Sequence, residues 1–471
     1  MYQIVTEFLN YGIFLYAIGI MTAYLVLAAL SIRSMRRYQR ENRNTRFDDI
    51  LRSPLAPRIA ILAPAYNESV SIVENIRSLL SLHYNNYQII IINDGSKDDC
   101  LQKMIDAYDL VPVAMEPVDH LPHKPVRNVY QSTNLAYRRL KVVDKENGGK
   151  ADALNVGICY ADAELVACID VDCVIEDDAL LRLVKPYLME INKHVIAVGG
   201  VVRIANDCEI REGRLLKVEL AKKWLPTFQT LEYLRAFLLG RMAWGHLDGL
   251  LLISGAFGLF DRRLVVEVGG YNPKTVGEDM ELVVRMRRHM ADKGLPYRVA
   301  YVPDPLCWTE APESWTTFIK QRNRWTRGTI ETLQMHKGMV FRRRYGLIGM
   351  LSYPFWWAYE WLAPLVEFLG LIYFAVLAIL GWINWHHFWL LLGLVYTYAI
   401  FISWLTLYQE EVHYRQYTRG KALGKLLLAA LLEPIFFHPV TVWAAVKGNW
   451  DKYVLKKHTW GEQVRKGFKK P

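Results

Sequence analysis

From Phe8 to Ile32 the chain carries no charged residue, and the next fourteen positions carry six arginines: Arg33, Arg36, Arg37, Arg40, Arg43 and Arg46. A 25-residue uncharged run is long enough to cross a hydrocarbon core about 30 Å thick. The basic flank places the segment that follows on the cytoplasmic side. A cleaved signal peptide would have positive charge before a shorter apolar core, and here the order is reversed. Residues 1–34 therefore read as an uncleaved membrane anchor and 35–56 as a basic juxtamembrane linker. The bulk hydropathy of +0.07 hides this, because it averages apolar ends with a polar middle.

A second uncharged pool follows Arg342, Arg343 and Arg344. Tyr345–Tyr359 holds Pro354 beside Trp356 and Trp357 and reads as an interfacial or re-entrant segment, where aromatics gather. Phe368–Trp385 and Phe388–Gln409 are cleaner spans. Leu426–Val446 is a fourth candidate, interrupted by Glu433, Pro434 and His438. An ionisable group at bilayer depth usually faces protein or a cavity, so Glu433 either lines a pathway or lies on a helix in the interface. Residues 338–448 form this interfacial and transmembrane block, and 449–471 a basic cytosolic tail with Lys452, Lys456, Lys457, Arg465 and Lys466. That tail and the Arg415–Lys425 loop both call for the cytoplasm, which one simple span between them cannot satisfy. The expected location is the inner or plasma membrane, multi-pass, with the middle domain cytoplasmic. The net charge of +10 sits mostly in these clusters and suits anionic membrane lipids. No basic helix or aromatic-basic module points to nucleic acid.

Between residues 57 and 337 short apolar runs alternate with amphipathic stretches. Ile59–Ala63, Gln88–Ile92 and Leu165–Ile169 read as buried strands, and helices are expected over about Glu68–Leu82, Lys103–Tyr108 and Lys150–Ala161. Such alternation implies a mostly parallel α/β sheet, whose ligands sit beyond the carboxyl ends of the strands. Asn67-Glu68, Asn93–Ser96 and Asp170–Asp172 fall at such ends. Dinucleotide and P-loop glycine signatures are absent, His residues lack zinc-ligand spacing, and no internal repeat is visible. The six cysteines form no C-x-x-C pair, and Cys159, Cys168 and Cys173 lie in apolar segments as reduced, buried thiols.

Four constellations could carry chemistry, although each alone has an ordinary structural explanation. Asp170 and Asp172 at a strand end can hold Mg²⁺ or Mn²⁺, or be plain loop carboxylates. Glu278 and Asp279 open an apolar-periodic helix, as caps favoured by its dipole or as a general base. Helical spacing puts Gln321, Arg324 and Trp325 on one face, suited to a phosphorylated sugar or to lipid headgroups. Lys150 follows two glycines at a helix start, where anions bind, or is simply exposed.

In chain order, Pro64–Glu68, Asn93–Ser96, Gly149–Asn155, Asp170-x-Asp172, Ser254–Gly258, Gly277–Asp279 and Gln321-x-x-Arg-Trp325 resemble the family 2 glycosyltransferases. The resemblance spans about residues 58–328. It is strongest to the membrane-embedded processive branch, which includes the cellulose, chitin, hyaluronan and poly-N-acetylglucosamine synthases. It implies a Rossmann-like α/β domain of the glycosyltransferase A type, flanked by transmembrane helices. It also implies that Tyr66, Glu68 and Asp94 hold the uridine end of a UDP-sugar donor, that Lys150 and Asp170 contact UDP, and that Asp172 binds Mg²⁺ or Mn²⁺. Asp279, with Glu278 beside it, would deprotonate the acceptor hydroxyl. Gln321 and Arg324 would grip the pyrophosphate, Trp325 would stack on the acceptor sugar, and Ser254 and Gly255 would shape the acceptor pocket.

The implied reaction is an inverting, processive transfer to a growing β-linked polysaccharide, coupled to its export. Direct displacement needs a base and a metal but no enzyme nucleophile, so the lack of a Ser/His/Asp triad leaves no gap. Gly277 stands where many relatives carry Thr, and no fused cyclic-nucleotide sensor is expected after residue 340. An accessory membrane or export subunit is a possible partner. The alternative activity is a non-processive membrane glycosyltransferase acting on a lipid-linked acceptor.

Overall fold

In the computed structural model, which describes residues 2–211, 213–417 and 420–456, the apolar runs of the middle segment become a ten-stranded sheet. Its strands are β1 (Ile59–Ala65), β2 (Tyr87–Asp94), β3 (Leu110–Val113), β4 (Val126–Ser132), β5 (Leu140–Lys145), β6 (Leu165–Ile169), β7 (Val174–Ile175), β8 (His194–Ile204), β11 (Phe257–Asp261) and β12 (Tyr297–Thr309); β9 (Glu209–Arg211) and β10 (Arg214–Lys217) form a separate hairpin. The strand order is β3-β4-β5-β2-β1-β6-β11-β8-β12-β7. β5, β2, β1 and β6 run parallel, as the alternation predicts. β11 then runs antiparallel between β6 and β8, so the sheet is mixed.

The parallel strands are covered on both faces, which is why they read as unbroken apolar runs. Ile89, Ile90, Ile91 and Ile92 are fully buried, each worth roughly 1.5–3 kcal/mol. The Lys150–Cys159 helix is buried along its whole length after Lys150 and packs on β1 and β2. The helix expected from Glu68 starts at Ile72 instead, because Asn67 takes a left-handed turn at φ 57°. The shared direction of β1, β2 and β6 brings Asn67, Asp94 and Asp170 to one edge of the sheet.

Among the described residues, three helical stretches are long and apolar enough to cross a membrane: Leu9–Asn42, Ile348–Ile379 and Trp385–His413. The second corrects the sequence reading, in which Tyr345–Tyr359 and Phe368–Trp385 are separate. Glu360 and Glu367 break the uncharged run, but each is partnered within the protein: Tyr24 donates to Glu360 at 3.0 Å, and His438 lies 2.9 Å from Glu367. The fourth candidate is a bent pair, Gly420–Phe436 and His438–Tyr453, at 46°. Lys425 donates to the Ala221 and Lys222 carbonyls at 2.7 Å, Asn323 donates to Asp451 at 2.9 Å, and Lys452 pairs with Glu331 at 2.7 Å. Both ends of the pair thus rest on the same domain. Asn449–Tyr453, assigned to the tail, complete this last helix; Lys457, Arg465 and Lys466 lie outside the described residues.

Candidate active site

The site begins at a buried lysine that the motifs pass over. Lys145, at the end of β5, is fully buried and pairs with Asp94 at 2.7 Å and Asp152 at 2.6 Å. Asp94 also accepts from Gly148 N at 2.9 Å, Gly149 N at 2.8 Å and Asn147 Nδ2 at 3.2 Å. A carboxylate offers about four acceptor positions, and all four are used within the chain. Asp94 therefore holds the loop that carries Lys150. Gly149 turns that loop into the helix at φ +87°, a conformation glycine adopts without strain.

Lys150 Nζ is thereby aimed across the strand ends, where it bonds the Asp170 carboxylate and, at 3.0 Å, the Gly255 carbonyl. Gly255 N donates to Asp279 Oδ2 at 3.0 Å, and Met280 N to Asp279 Oδ1 at 2.8 Å. Burial opposes the Lys150 charge, but Asp170, Glu278 and Asp279 outweigh it and raise its proton affinity. Glu278 is 3% exposed. Burial, then the adjacent Asp279, pushes its carboxyl up to about 7, against the pull of Lys150 and Arg324.

The opposite wall is the Trp315–Met335 helix, capped by Ser314, whose hydroxyl accepts from Thr317 N. Backbones meet where it crosses the Glu278 turn. A Cβ on Gly277 would fall 2.6 Å from Gly328 Cα, and one on Gly328 2.7 Å from Gly277 Cα. A Thr at position 277 would push this helix away. Glu331 bonds Thr275 Oγ1 at 2.8 Å and Val276 N at 3.0 Å, fixing the helix to the same turn. Trp325 is 39% exposed; Arg322, itself paired with Glu232 at 2.6 Å, lies 4.0 Å from its ring centroid. Gln321 Oε1 is buried with no hydrogen-bond partner among the described residues.

A cavity of about 1740 Å³ gathers Lys150, Asp170, Asp172, Ser254, Gly255, Glu278, Asp279, Gln321, Arg324 and Trp325, and it continues among Tyr16, Phe374 and Trp389 of the apolar helices. Tyr66, Glu68 and Asp94 do not line it; they sit at the neighbouring ends of β1 and β2, where Asn67 N donates to Ser96 Oγ at 3.0 Å. Residues 57–328 match the family described as Glycosyltransferase like family 2. The chain belongs to that family.

The poly-beta-1,6-N-acetyl-D-glucosamine synthase of Staphylococcus epidermidis is 32% identical over 276 residues, 58% of this chain and 55% of that protein. The Staphylococcus aureus synthase of the same description is 31% identical over 283 residues, again 58% and 55%. The match thus spans about half the length of these relatives. Among solved structures, a mannosyltransferase from Pyrobaculum calidifontis in complex with GDP-Man and Mn²⁺ has a TM-score of 0.49 at 17% identity, covering 88% of this chain and 99% of that one. The mixed α/β domain is of the glycosyltransferase A type.

The donor set fits a hard divalent cation. Ligand atoms of Asp170, Asp172 and Cys173 lie within 4.8 Å of one another. Cys307 alongside and burial raise the Cys173 thiol well above its ordinary range. The two carboxylates remain, the ligands that Mg²⁺ and Mn²⁺ prefer.

Sequence reasoning missed Lys145, Asn147 and Glu331. Lys145 closes an apolar strand just before Gly148-Gly149, the one local hint that it faces inward. Trp356, Trp361 and Trp389 line the cavity; Trp382, Trp385, Trp389 and Trp404 are each roughly half exposed, which suits interfacial anchoring. Glu433 lines the cavity too, held by both Arg235 guanidinium nitrogens at 2.7 and 2.9 Å.

Proposed function

We propose that this chain transfers N-acetylglucosamine or glucose from a UDP-linked donor to the end of a growing β-linked polysaccharide, inverting the anomeric carbon. The observation that carries this reading is the hydrogen-bonded path Asp170–Lys150–Gly255–Asp279 at one end of a cavity whose other end lies among the apolar helices. The names of the staphylococcal relatives favour N-acetylglucosamine.

Asp279 is the base. The two backbone amides hold its carboxylate in one orientation, so an acceptor hydroxyl at the cavity wall meets a pre-aimed oxygen. Lys150 and Arg324 face the diphosphate from opposite walls and favour its departure. Asp170 and Asp172 would hold Mg²⁺ or Mn²⁺, which when bound neutralises charge on the leaving group. Tyr66 and Glu68, with the loop Asp94 supports, take the uridine end. Trp325 offers an indole face to the acceptor sugar. The domain lies on the cytoplasmic side, and the polar product leaves through the cavity between the apolar helices.

Full-length protein in lipid nanodiscs, given UDP-N-acetylglucosamine and Mn²⁺, should release UDP and build a long polymer cut by a linkage-specific glycosidase. A product one sugar longer than a lipid-linked acceptor would overturn processivity. No UDP release from any UDP-sugar would overturn the activity itself.

A further inference from the structure

The cavity walls carry several buried arginines, and most are neutralised. Arg235 grips Glu433, and Arg322 pairs with Glu232. Arg241 differs in having no ion pair with a carboxylate among the described residues; its Nη1, like Nε of Arg322 and Arg324, is buried without a hydrogen-bond partner. Asp279 and, less strongly, Glu360 both act on Arg241 electrostatically, but Asp279 is held by the Gly255 and Met280 amides and Glu360 by Tyr24. Burying an unpaired guanidinium is costly, and an unsatisfied buried group calls for an explanation. Arg241 ends the π-helical segment Arg235–Arg241, a wide-turn geometry that recurs at functional sites.

Its neighbours indicate what it is kept for. The Arg241 guanidinium lies 3.8 Å from the Phe237 ring centroid, Phe237 is 5.7 Å from Tyr233, and Tyr233 is 6.4 Å from Trp325. All four line the same cavity, and the rings, tilted by 45° and 39° from one to the next, form a stepped shelf from Trp325 to Arg241. Aromatic faces suit sugar rings. We propose that Arg241 is an acceptor-binding residue, whose free guanidinium donors meet hydroxyl or acetamido oxygens of the saccharide lying on this shelf. The proposal rests on the polysaccharide reading above and extends it to a residue outside the motifs.

The test compares wild type, Arg241→Met and Arg241→Lys as full-length protein in nanodiscs. The probe is a β-1,6-linked N-acetylglucosamine pentasaccharide, followed by tryptophan fluorescence. Arg241→Met should bind it at least tenfold more weakly and make shorter polymer, with UDP affinity within twofold of wild type and a melting temperature equal or higher. Arg241→Lys should recover part of the binding. A rise in stability with a loss of acceptor binding is what a purely structural arginine cannot give. Equal pentasaccharide affinity in wild type and Arg241→Met, or no binding by wild type, overturns the proposal. So does a tenfold loss of UDP affinity, which would move Arg241 to the diphosphate. If wild type binds the oligosaccharide but releases no UDP, the activity reading falls while the binding comparison still decides Arg241.

Discussion

The donor and acceptor sides of the site handle buried charge differently. Beside the donor, Lys145 at the end of β5 lies between Asp94 of β2 and Asp152 of the following helix, and the carboxylate of Asp94 has no acceptor position to spare. On the acceptor side the ties come from far along the chain: Asp451 on Asn323, Lys452 on Glu331 and Glu433 on Arg235. There Arg241 Nη1 has no matching group. The loop beside the donor is organised before any ligand arrives, which is what electrostatic stabilisation of a leaving group requires. The acceptor side keeps a donor in reserve, as a surface must if it binds each successive sugar and then lets it go.

The comparison can be broken in several places. The largest effect is expected from Asp279→Asn, which removes the base and should lower turnover by about 10²–10⁴-fold while leaving UDP affinity unchanged. Loss of UDP binding in a calorimetric titration would move Asp279 to the donor side. Lys145→Met leaves Asp94 and Asp152 buried without a counter-charge and should cost roughly 3–5 kcal/mol of stability, read as a lowered urea midpoint. A cost below about 1 kcal/mol, the scale of an exposed pair, would mean the donor side is not the rigid one.

Gly277→Thr forces a side chain against Gly328 and should cost roughly 1–3 kcal/mol. It should also weaken UDP binding, because the displaced helix carries Gln321 and Arg324; unchanged affinity would show that the two sides are not coupled there. The smallest effect belongs to Glu278. Its carboxyl is raised from an ordinary 4.5 to about 7, so the folded chain holds an extra proton between those values and stability falls as pH rises through that window. Glu278→Gln should flatten this part of the melting-temperature profile and melt higher than wild type at pH 8. Two superimposable profiles would rule out the buried-proton account.

Much of this site was legible because its signals are local. Strand periodicity placed Asp94 and Asp170 at strand ends. Helical spacing placed Gln321, Arg324 and Trp325 on one face. The acidic pair Glu278-Asp279 marked a helix start that the structure keeps. Lys145 was not legible, because a lysine closing a strand looks like any exposed one until Asp94 and Asp152 close around it. The membrane block misread at Glu360 and Glu367 shows the same limit from the other side. Two carboxylates interrupt the uncharged run, and only their partners, Tyr24 and His438, show why the helix continues through them.

The sequence by itself determined the anchor, the α/β middle and the residue types gathered for sugar transfer, since each follows from composition or period within a short window. Only the tertiary structure decided which charges are spent and which are kept. It set Gly277 against Gly328, lodged both ends of the last bent helix pair on the catalytic domain, and left Arg241 alone on an aromatic shelf. Those outcomes depend on partners up to about two hundred residues apart, such as Arg235 and Glu433, and no local pattern encodes which distant group will neutralise a buried charge.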